Sequence, residues 1–408
     1  VILKVGFPSD NQIIKEKNLT SDFSYILESV TRPPGWTQSG TFKQVTNYYV
    51  HCSNNFKTNL GTKENSKEYS INGTFFCQQN SLTHVCAHAA LRTMLNTRYD
   101  LIKHKVTNRD INDILKTEFP KDFAQNVFDQ GLSPVHMAKI ATHFNLNIVP
   151  ANFLDMPTVD YAEWMYPLIE SGYPVLLSFY PTHAVGHVVA IVGHTINSDK
   201  WDCEAHLAYR PEAFGKYHAS SAWVDHFIIN DDNFGMYTCM PPSYLRNRIL
   251  PQYDRTQRAA FALTFLPENT NVIPYLVEKS SVSKVINLFK SYSVPPENKW
   301  LHRLWAQTQQ RNKGIVARTI ICQRDNYIAY LKKFLPNEYL IPNELANCPR
   351  DIIITEISLP DLYTSNKHKL GDLISDGKID LSTGSPRLNF IWGWLPGIQI
   401  PVEFKEEE

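Results

Sequence analysis

The sequence has no excess of charge of either sign, because lysine plus arginine and aspartate plus glutamate number 40 each in 408 residues. A chain without net charge is not attracted as a whole to nucleic acid or to an anionic membrane surface. The sequence also has no run of roughly 18 consecutive apolar residues, the length that a membrane-spanning helix needs. We therefore expect a soluble protein with no nucleic-acid partner and no membrane partner.

Cysteine is scarce and scattered. The seven cysteines form no CxxC pair, and their odd number leaves at least one thiol unpaired within the chain. This pattern favours a reducing compartment, so we expect a cytoplasmic protein. Internal repeats and low-complexity blocks are also missing, which excludes solenoid and fibrous architectures.

The length predicts two domains, because single hydrophobic cores stop growing below 408 residues. Residues 1–70 are polar, and we predict an irregular lead-in with one strand near residues 43–51, packed on the domain that follows. Residues 71–251 are predicted to form the first domain. Residues 252–408 change in character and are predicted to form a second α+β domain of unknown role.

Helix and strand signals are clear in the first domain. Strong helix formers at helical spacing over residues 85–96 predict a buried helix that begins at or beside Cys86. Thr107 and the Ser133-Pro134 pair are start signals for two further helices. Two apolar segments, residues 187–192 and residues 225–230, predict neighbouring strands.

The second domain has weaker signals. We predict helices over residues 280–292 and 324–334, and strands over residues 314–322 and 351–357. The aromatic segment Trp392-Gly393-Trp394 is interpreted as a buried core strand rather than an exposed aromatic contact.

Four residues form a candidate catalytic set for a cysteine hydrolase. A thiol attacks as thiolate, and the positive end of a helix favours that form, which suits Cys86. An imidazole must take and return a proton, and a third group must orient it, which suits His187 and Asp231. The side-chain amide of Gln79, seven residues before Cys86, could donate to a tetrahedral oxyanion.

The segments 77–91, 186–194 and 227–235 together resemble the papain-like cysteine peptidases. The shared order is Gln, then Cys opening a helix, then His opening a strand, then Asn or Asp closing the next strand. Within that group the segments look closest to bacteriocin-processing and related bacterial peptidases, and the resemblance covers roughly residues 75–240. It implies an α+β fold in which the helix carrying the Cys packs on an antiparallel sheet carrying His and Asp.

Two assignments within the resemblance stay open. Papain has its Gln six residues before the Cys, where this chain has Asn80, so Gln78 or Asn80 could replace Gln79 as the oxyanion donor. The orienting acid also has two candidates, the adjacent Asp231 and Asp232. Alignment on the end of the strand favours Asp231. Asp232 is then expected to start the turn and to accept backbone N–H bonds from residues 233–235.

A zinc site is the main rival for the cysteine, since thiolate and imidazole are the usual ligands of zinc. Its members are the local cluster Cys77, His84, Cys86 and His88. Two other histidines, His183 and His194, are interpreted as not catalytic. His183 precedes the strand of residues 187–192, and His194 lies on the opposite strand face from His187.

The resemblance implies a peptidase or isopeptidase that works through an acyl-enzyme and acts on a protein or peptide, with no cofactor and no metal. The same order of Cys, His and Asp also occurs in acyltransferases, transglutaminases and deamidases. A further alternative is an inactive papain-like fold that serves as a scaffold, with the C-terminal domain binding a protein partner.

Overall fold

The structure is a computed structural model, and it describes the following residues: 2–5, 26–33, 48–60, 65–78, 86–125, 131–156, 159–180, 186–196, 217–245, 258–268, 270, 272–291, 294, 297–309, 314–335, 341, 343–366, 368–380 and 387–400. The fold is mixed α+β with mainly antiparallel strand pairing. No helix in the described residues is long and apolar enough to cross a membrane.

The described strands and helices are these, in chain order. The strands are β1 (Ile2–Val5), β2 (Ile26–Thr31), β3 (Tyr48–Tyr49), β4 (Asn54–Leu60), β5 (Lys67–Cys77), β6 (Leu146–Asn152), β7 (Val175–Tyr180), β8 (His187–Ile196), β9 (Tyr217–Ala219), β10 (Val224–Asp231), β11 (Gly235–Met240), β12 (Arg258–Pro267), β13 (Ile315–Gln323), β14 (Asp351–Ser358), β15 (Gly371–Asp380), β16 (Arg387–Leu395) and β17 (Ile398–Ile400). The helices are α1 (Cys86–Thr97), α2 (Tyr99–Ile102), α3 (Asn108–Glu118), α4 (Pro120–Ala124), α5 (Pro134–His143), α6 (Tyr161–Glu170), α7 (Pro274–Ser291), α8 (Lys299–Gln309), α9 (Arg324–Phe334) and α10 (Pro360–Asn366).

The chain divides into two compact units, each built from several segments. Unit 1 comprises Val1–Met156, Gly172–Thr195 and His226–Glu268. Unit 2 comprises Pro157–Ser171, Ile196–Asp225 and Asn269–Glu408. The sequence-based domain limit at residue 251 stays a prediction, and the main sheet of unit 1 also includes β12 from beyond it.

Unit 1 contains two sheets. The larger has the strand order β11-β10-β8-β7-β12-β6, with β3 added beside β8, and the smaller has the order β1-β2-β5-β4. Helix α1 is buried along its length and packs with α3, α5 and apolar residues of the larger sheet in one core. Because β8 and β10 are neighbours in this sheet, the predicted pairing of residues 187–192 with residues 225–230 is confirmed.

The helix start signals in unit 1 are confirmed. The side chain of Thr107 accepts a hydrogen bond from the backbone N–H of Asp110, and the Asp110 carboxylate accepts one from the N–H of Thr107. Ser133 and His136 form a second reciprocal cap at the start of α5, with Pro134 as its first residue. Local capping chemistry therefore fixes where both helices begin.

The described part of residues 1–70 contains more strand than the sequence predicts. Strands β2 and β4 lie there and each pairs with β5, whereas we predicted one strand near residues 43–51, of which Tyr48–Tyr49 is described as β3. The first half of β5 is polar and exposed, and its burial begins at Gly73. A half-exposed strand lacks the apolar alternation by which strands are found in a sequence.

Unit 2 is built on a sheet with the order β17-β16-β15-β14-β13-β9, antiparallel except for the parallel pair of β13 and β9. Alternate residues of its strands face two separate apolar clusters: one includes residues of α7 and α8, and the other includes residues of α9. Trp392 is buried in the second cluster, which confirms the interpretation of its segment as a core strand.

Candidate active site

Helix α1, which begins at Cys86, is fixed on the adjacent strand β5 by two threonines. Thr93 accepts a hydrogen bond from the backbone N–H of Cys77 at 3.3 Å, and Thr97 accepts one from the N–H of Phe75 at 3.1 Å. Thr93 and Thr97 are four residues apart and lie on one face of the helix. The N–H groups of Phe75 and Cys77, two residues apart on the strand, point to one edge, so both bonds can form together. They fix where α1 begins, and so where the partly buried Cys86 lies.

Cys77 has a structural environment rather than that of a nucleophile. Its sulfur accepts a hydrogen bond from the Arg92 guanidinium at 3.0 Å, and Arg92 also pairs with Glu28. Burial raises the pKa of the Cys77 thiol to about 11 despite the nearby Arg92 charge. Cys77 is therefore a neutral, buried thiol at physiological pH.

His187 is the first residue of β8, and its ring is held from two sides. The Phe179 ring, directly opposite on β7, meets it edge to face with centroids 5.6 Å apart. The Nε2 atom of His187 lies 3.1 Å from Oδ2 of Asp231, and the Cys86 side chain is near enough to the ring to raise the pKa of His187. Since Nε2 faces the carboxylate, Nδ1 is the nitrogen available to the thiol.

Asp231, the last residue of β10, performs two tasks with its two oxygens. Its Oδ1 accepts the backbone N–H groups of Asn233 and Phe234 at 2.8 and 3.2 Å, while its Oδ2 faces His187. The sequence analysis assigned these turn bonds to Asp232, and that assignment is wrong. The bonds lock the carboxylate orientation, so Asp231 both shapes the turn and aligns the imidazole.

The protonation of this pair follows from its surroundings. Burial acts to lower the pKa of His187, but its hydrogen bonds to Asp231 and Cys86 and the charges of Asp231 and Asp232 raise it to about 10. Burial acts to raise the pKa of Asp231, but the His187 bond and charge and the two backbone N–H groups lower it overall. At neutral pH the pair is therefore an imidazolium facing a carboxylate.

Asp232 lies close to the same nitrogen. Its Oδ1 is 3.8 Å from Nε2 of His187, because the chain turns directly after the strand and brings both acids to one side. The residue is only 4% exposed. Burial, with the negative charge of Asp231, raises the pKa of Asp232 to about 6 against the opposing charge of His187.

A hydrogen-bond network joins the strand of the acid to the strand that leads to the cysteine. Asn230 donates from Nδ2 to the Thr74 hydroxyl on β5 at 3.1 Å, and its Oδ1 accepts the backbone N–H of Tyr237 at 3.1 Å. The Thr74 hydroxyl in turn donates to the Tyr237 hydroxyl at 2.9 Å. Sequence reasoning missed this network, because none of its members carries a motif.

Several residues named from the sequence are not brought to this cluster or are not described. Gln79, Asn80, His84 and His183 lie outside the described residues. His194 is fully buried on β8 with its ring beside those of Tyr49 and His51. Cys77, Cys86 and His88 are not among the described groups that bring three metal-ligating atoms within 4.8 Å of one another, whereas His187, Asp231 and Asp232 are.

Comparisons with known proteins give a weak structural likeness. No family model matches the sequence, and no curated protein does. Among solved structures, the peptidase domain of Streptococcus ComA, a bifunctional ABC transporter involved in a quorum sensing pathway, matches with 12% identity and a TM-score of 0.26. The match covers 47% of this chain and 95% of that domain. A TM-score of this size does not assign the chain to a family.

Proposed function

We propose that the protein is a papain-like cysteine hydrolase, and specifically a peptidase or isopeptidase, with Cys86 as nucleophile. The observation that carries this proposal is the arrangement around His187. The Asp231 carboxylate faces Nε2 of the ring, and Cys86, at the start of a buried helix, also acts on the ring and raises the pKa of His187. A nucleophile, a base and an orienting acid in hydrogen-bonded sequence are what acyl transfer through a thiol requires.

The mechanism follows from this order. The Cys86 thiolate attacks the acyl carbon, forming a carbon–sulfur bond as the carbonyl electrons move onto oxygen. The His187 imidazolium then gives its Nδ1 proton to the leaving amine as the carbon–nitrogen bond breaks. The neutral ring then takes a proton from water as the water oxygen bonds to the thioester carbon. The carbon–sulfur bond breaks, the acyl group leaves as a carboxylic acid, and the Cys86 thiolate and the His187 imidazolium are restored. We propose the Cys86 backbone N–H and the Gln79 amide as oxyanion donors.

A peptide substrate suits the aromatic surface near the proposed base. Phe179, which contacts His187, also meets Tyr244 with ring centroids 6.3 Å apart, and Tyr244 is 41% exposed. Phe234, in the turn that follows Asp231, is 83% exposed. Exposed aromatic side chains beside a reacting centre offer contact area to apolar side chains of a substrate.

Cleavage of a peptide library by matched cysteine variants tests the proposal. We expect Cys86→Ala to lower turnover by several orders of magnitude, on the order of 10⁴-fold, while leaving the melting temperature near that of the parent protein. Cys239→Ala, which removes an exposed thiol on β11, is the control and should retain full turnover. A Cys86→Ala protein that keeps more than about a tenth of the parent rate would overturn the assignment.

Product analysis distinguishes hydrolysis from transfer. With a cleaved peptide identified, the parent protein is incubated with and without an excess of a primary amine, and the products are weighed by mass spectrometry. We expect free carboxylate products in both mixtures. Products that carry the amine, or a glutamine converted to glutamate without chain cleavage, would assign the site to transferase or deamidase chemistry.

A further inference from the structure

Asp232 is a buried carboxylate to which no other described residue donates a hydrogen bond. It is 4% exposed, and apart from its own backbone N–H no group in the described residues donates a hydrogen bond to either of its oxygens. Burial of an unpaired polar group costs several kcal/mol, and nearly all such groups in native proteins are satisfied by protein, water or an ion. Asp231, the preceding residue, has both its oxygens engaged. This contrast indicates that Asp232 has a ligand of its own.

We propose that His187, Asp231 and Asp232 form a binding site for a zinc-type divalent transition metal ion. Their ligating atoms all lie within 4.8 Å of one another, with Nε2 of His187 at 3.1 Å from Asp231 Oδ2 and at 3.8 Å from Asp232 Oδ1. In a tetrahedral zinc site with bonds of about 2.0–2.1 Å, neighbouring ligand atoms are about 3.4 Å apart. The two separations from His187 bracket that value, and the two carboxylate atoms lie within 4.8 Å of each other.

The ligand types select the class of metal. Imidazole nitrogen and carboxylate oxygen are both ligands that zinc accepts, and three protein ligands leave the fourth tetrahedral position to water. Calcium and magnesium prefer sites made wholly of oxygen with six or more ligands. The charge of the ion would balance the two carboxylates, and the backbone N–H groups of Asn233 and Phe234 hold Asp231 from behind, as outer-shell partners do in metal sites.

An ion at this position would switch off the proposed base. A metal on Nε2 requires that nitrogen to be unprotonated, so the ring proton stays on Nδ1, the nitrogen that the proposed mechanism assigns to proton exchange with Cys86. The ring could then not accept a proton from the thiol, and Asp231 would no longer orient it. This inhibitory consequence rests on the proposed function, whereas metal binding itself does not.

The test measures zinc binding in the full chain carrying Cys86→Ala, so that the thiol contributes nothing. Zinc is titrated in competition with a chromophoric chelator, and melting curves verify that every variant is folded. Asp232→Asn and His187→Ala, each added to that chain, should weaken binding at least tenfold, since changes even to outer-shell partners of a metal cost about 10- to 100-fold. Asp225→Asn, an acid on the same strand outside the cluster, is the matched control and should leave the zinc Kd unchanged.

Two results would overturn the metal site. One is an unchanged zinc Kd in the Asp232→Asn and His187→Ala variants. The other is zinc binding that is lost in Cys77→Ala and kept in Asp232→Asn, which would move the ion to the cluster of Cys77 and His88. Failure of the proposed function is separately visible, because slow alkylation of Cys86 in metal-free wild-type protein would contradict catalysis without changing the zinc Kd of the Cys86→Ala chain.

Discussion

Buried carboxylates occur in both compact units, but their partners differ. In unit 2, Arg318 bridges Glu170 and Glu356, and Lys369 bridges Glu356 and Asp372. The Asp372 Oδ2 atom accepts three hydrogen bonds, from Lys369 and from two aromatic side chains, Tyr327 and Trp394, although its Oδ1 has no donor in the described residues. Every carboxylate of this network therefore has a cation beside it, as buried ion pairs need.

The two adjacent acids of the unit 1 site, Asp231 and Asp232, differ in their hydrogen-bond partners. Asp231 has a histidine and two backbone N–H groups as partners, while Asp232 has the same histidine at 3.8 Å and no donor from another described residue. A network whose charges are paired serves folding. A carboxylate that is buried beside a titratable ring without a hydrogen-bond donor reduces stability, and such groups concentrate at functional sites. The contrast supports the proposal that the active site lies in unit 1.

The largest expected effect separates the two acids of unit 1. In Asp231→Asn the turn N–H groups still require an oxygen, so the amide NH₂ must face His187 and favours the wrong tautomer. We expect turnover to fall by about 10² to 10⁴-fold with little loss of stability. The fall in turnover should be at least tenfold smaller in Asp232→Asn than in Asp231→Asn. The turnover of Asp225→Asn should equal that of the parent protein. Steady-state kinetics and melting curves measure this, and a larger rate loss in Asp232→Asn would reverse the assignment.

Removing the central cation of unit 2 should damage stability. Arg318→Met leaves Glu170 and Glu356 buried without their shared partner, and we expect a loss of about 3–5 kcal/mol in the free energy of unfolding. Asp325→Ala, which removes the exposed partner of Arg324, should cost about 0–1 kcal/mol. Urea denaturation of both variants measures the difference. Equal, small losses would show that the network does not stabilise unit 2.

The pH dependence of stability should reveal another buried acid of unit 2. Burial raises the pKa of Glu278 to about 8 from its ordinary 4.5, although the hydroxyl and N–H of Thr319 bond to it. Between those values the unfolded chain releases a proton that the folded chain keeps, so stability falls as pH rises from 4.5 to 8. Glu278→Gln should remove this loss and be more stable than the parent at pH 8, by roughly 2–4 kcal/mol.

Urea denaturation of the parent and Glu278→Gln at several pH values measures this difference. Glu297→Gln, at an exposed position of the same unit, controls for the loss of a carboxylate. A stability difference between Glu278→Gln and the parent that stays constant from pH 4.5 to 8 would contradict the raised pKa of Glu278.

The smallest effect tests the network that joins the two strands of the site. Tyr237→Phe removes the hydroxyl that accepts from the N–H and hydroxyl of Thr74 and leaves that buried N–H without a partner. We expect a loss of about 1–3 kcal/mol in unfolding free energy and a rate loss smaller than that of Asp231→Asn. Tyr69→Phe, at an exposed position of β5, should change neither. Identical melting temperatures for the two variants would show that the network has no stabilising role.

The local elements of the site could be predicted from the sequence, because they depend on neighbours along the chain. The helix beginning at Cys86 and the strands containing His187 and preceding Asp231 follow from apolar spacing. The caps at Thr107 and Ser133 follow from side-chain chemistry. The catalytic roles of Cys86, His187, Asp231 and Gln79 stay predictions.

What the sequence could not predict depends on contacts between distant segments. The parallel pairing of β9 with β13 joins residues about a hundred positions apart, and no local pattern encodes it. The burial of Asp232 was also missed, because an acid in a turn is ordinarily exposed and here the turn folds onto the site. Nor does spacing along the chain reveal that Oδ1 of Asp231 takes the turn bonds while Oδ2 faces the ring.

The most direct test of the central claim compares two thiols in one molecule, and it needs no known substrate. Cys86 is partly buried and Cys239 is exposed, so simple access predicts faster alkylation of Cys239. If His187 activates Cys86, iodoacetamide at about pH 6 should label Cys86 at least tenfold faster than Cys239 in wild-type protein, as quantified by peptide mass spectrometry. In His187→Ala that advantage should disappear. Labelling of Cys86 that is no faster than that of Cys239, or that is unchanged in His187→Ala, would contradict the proposed thiol chemistry.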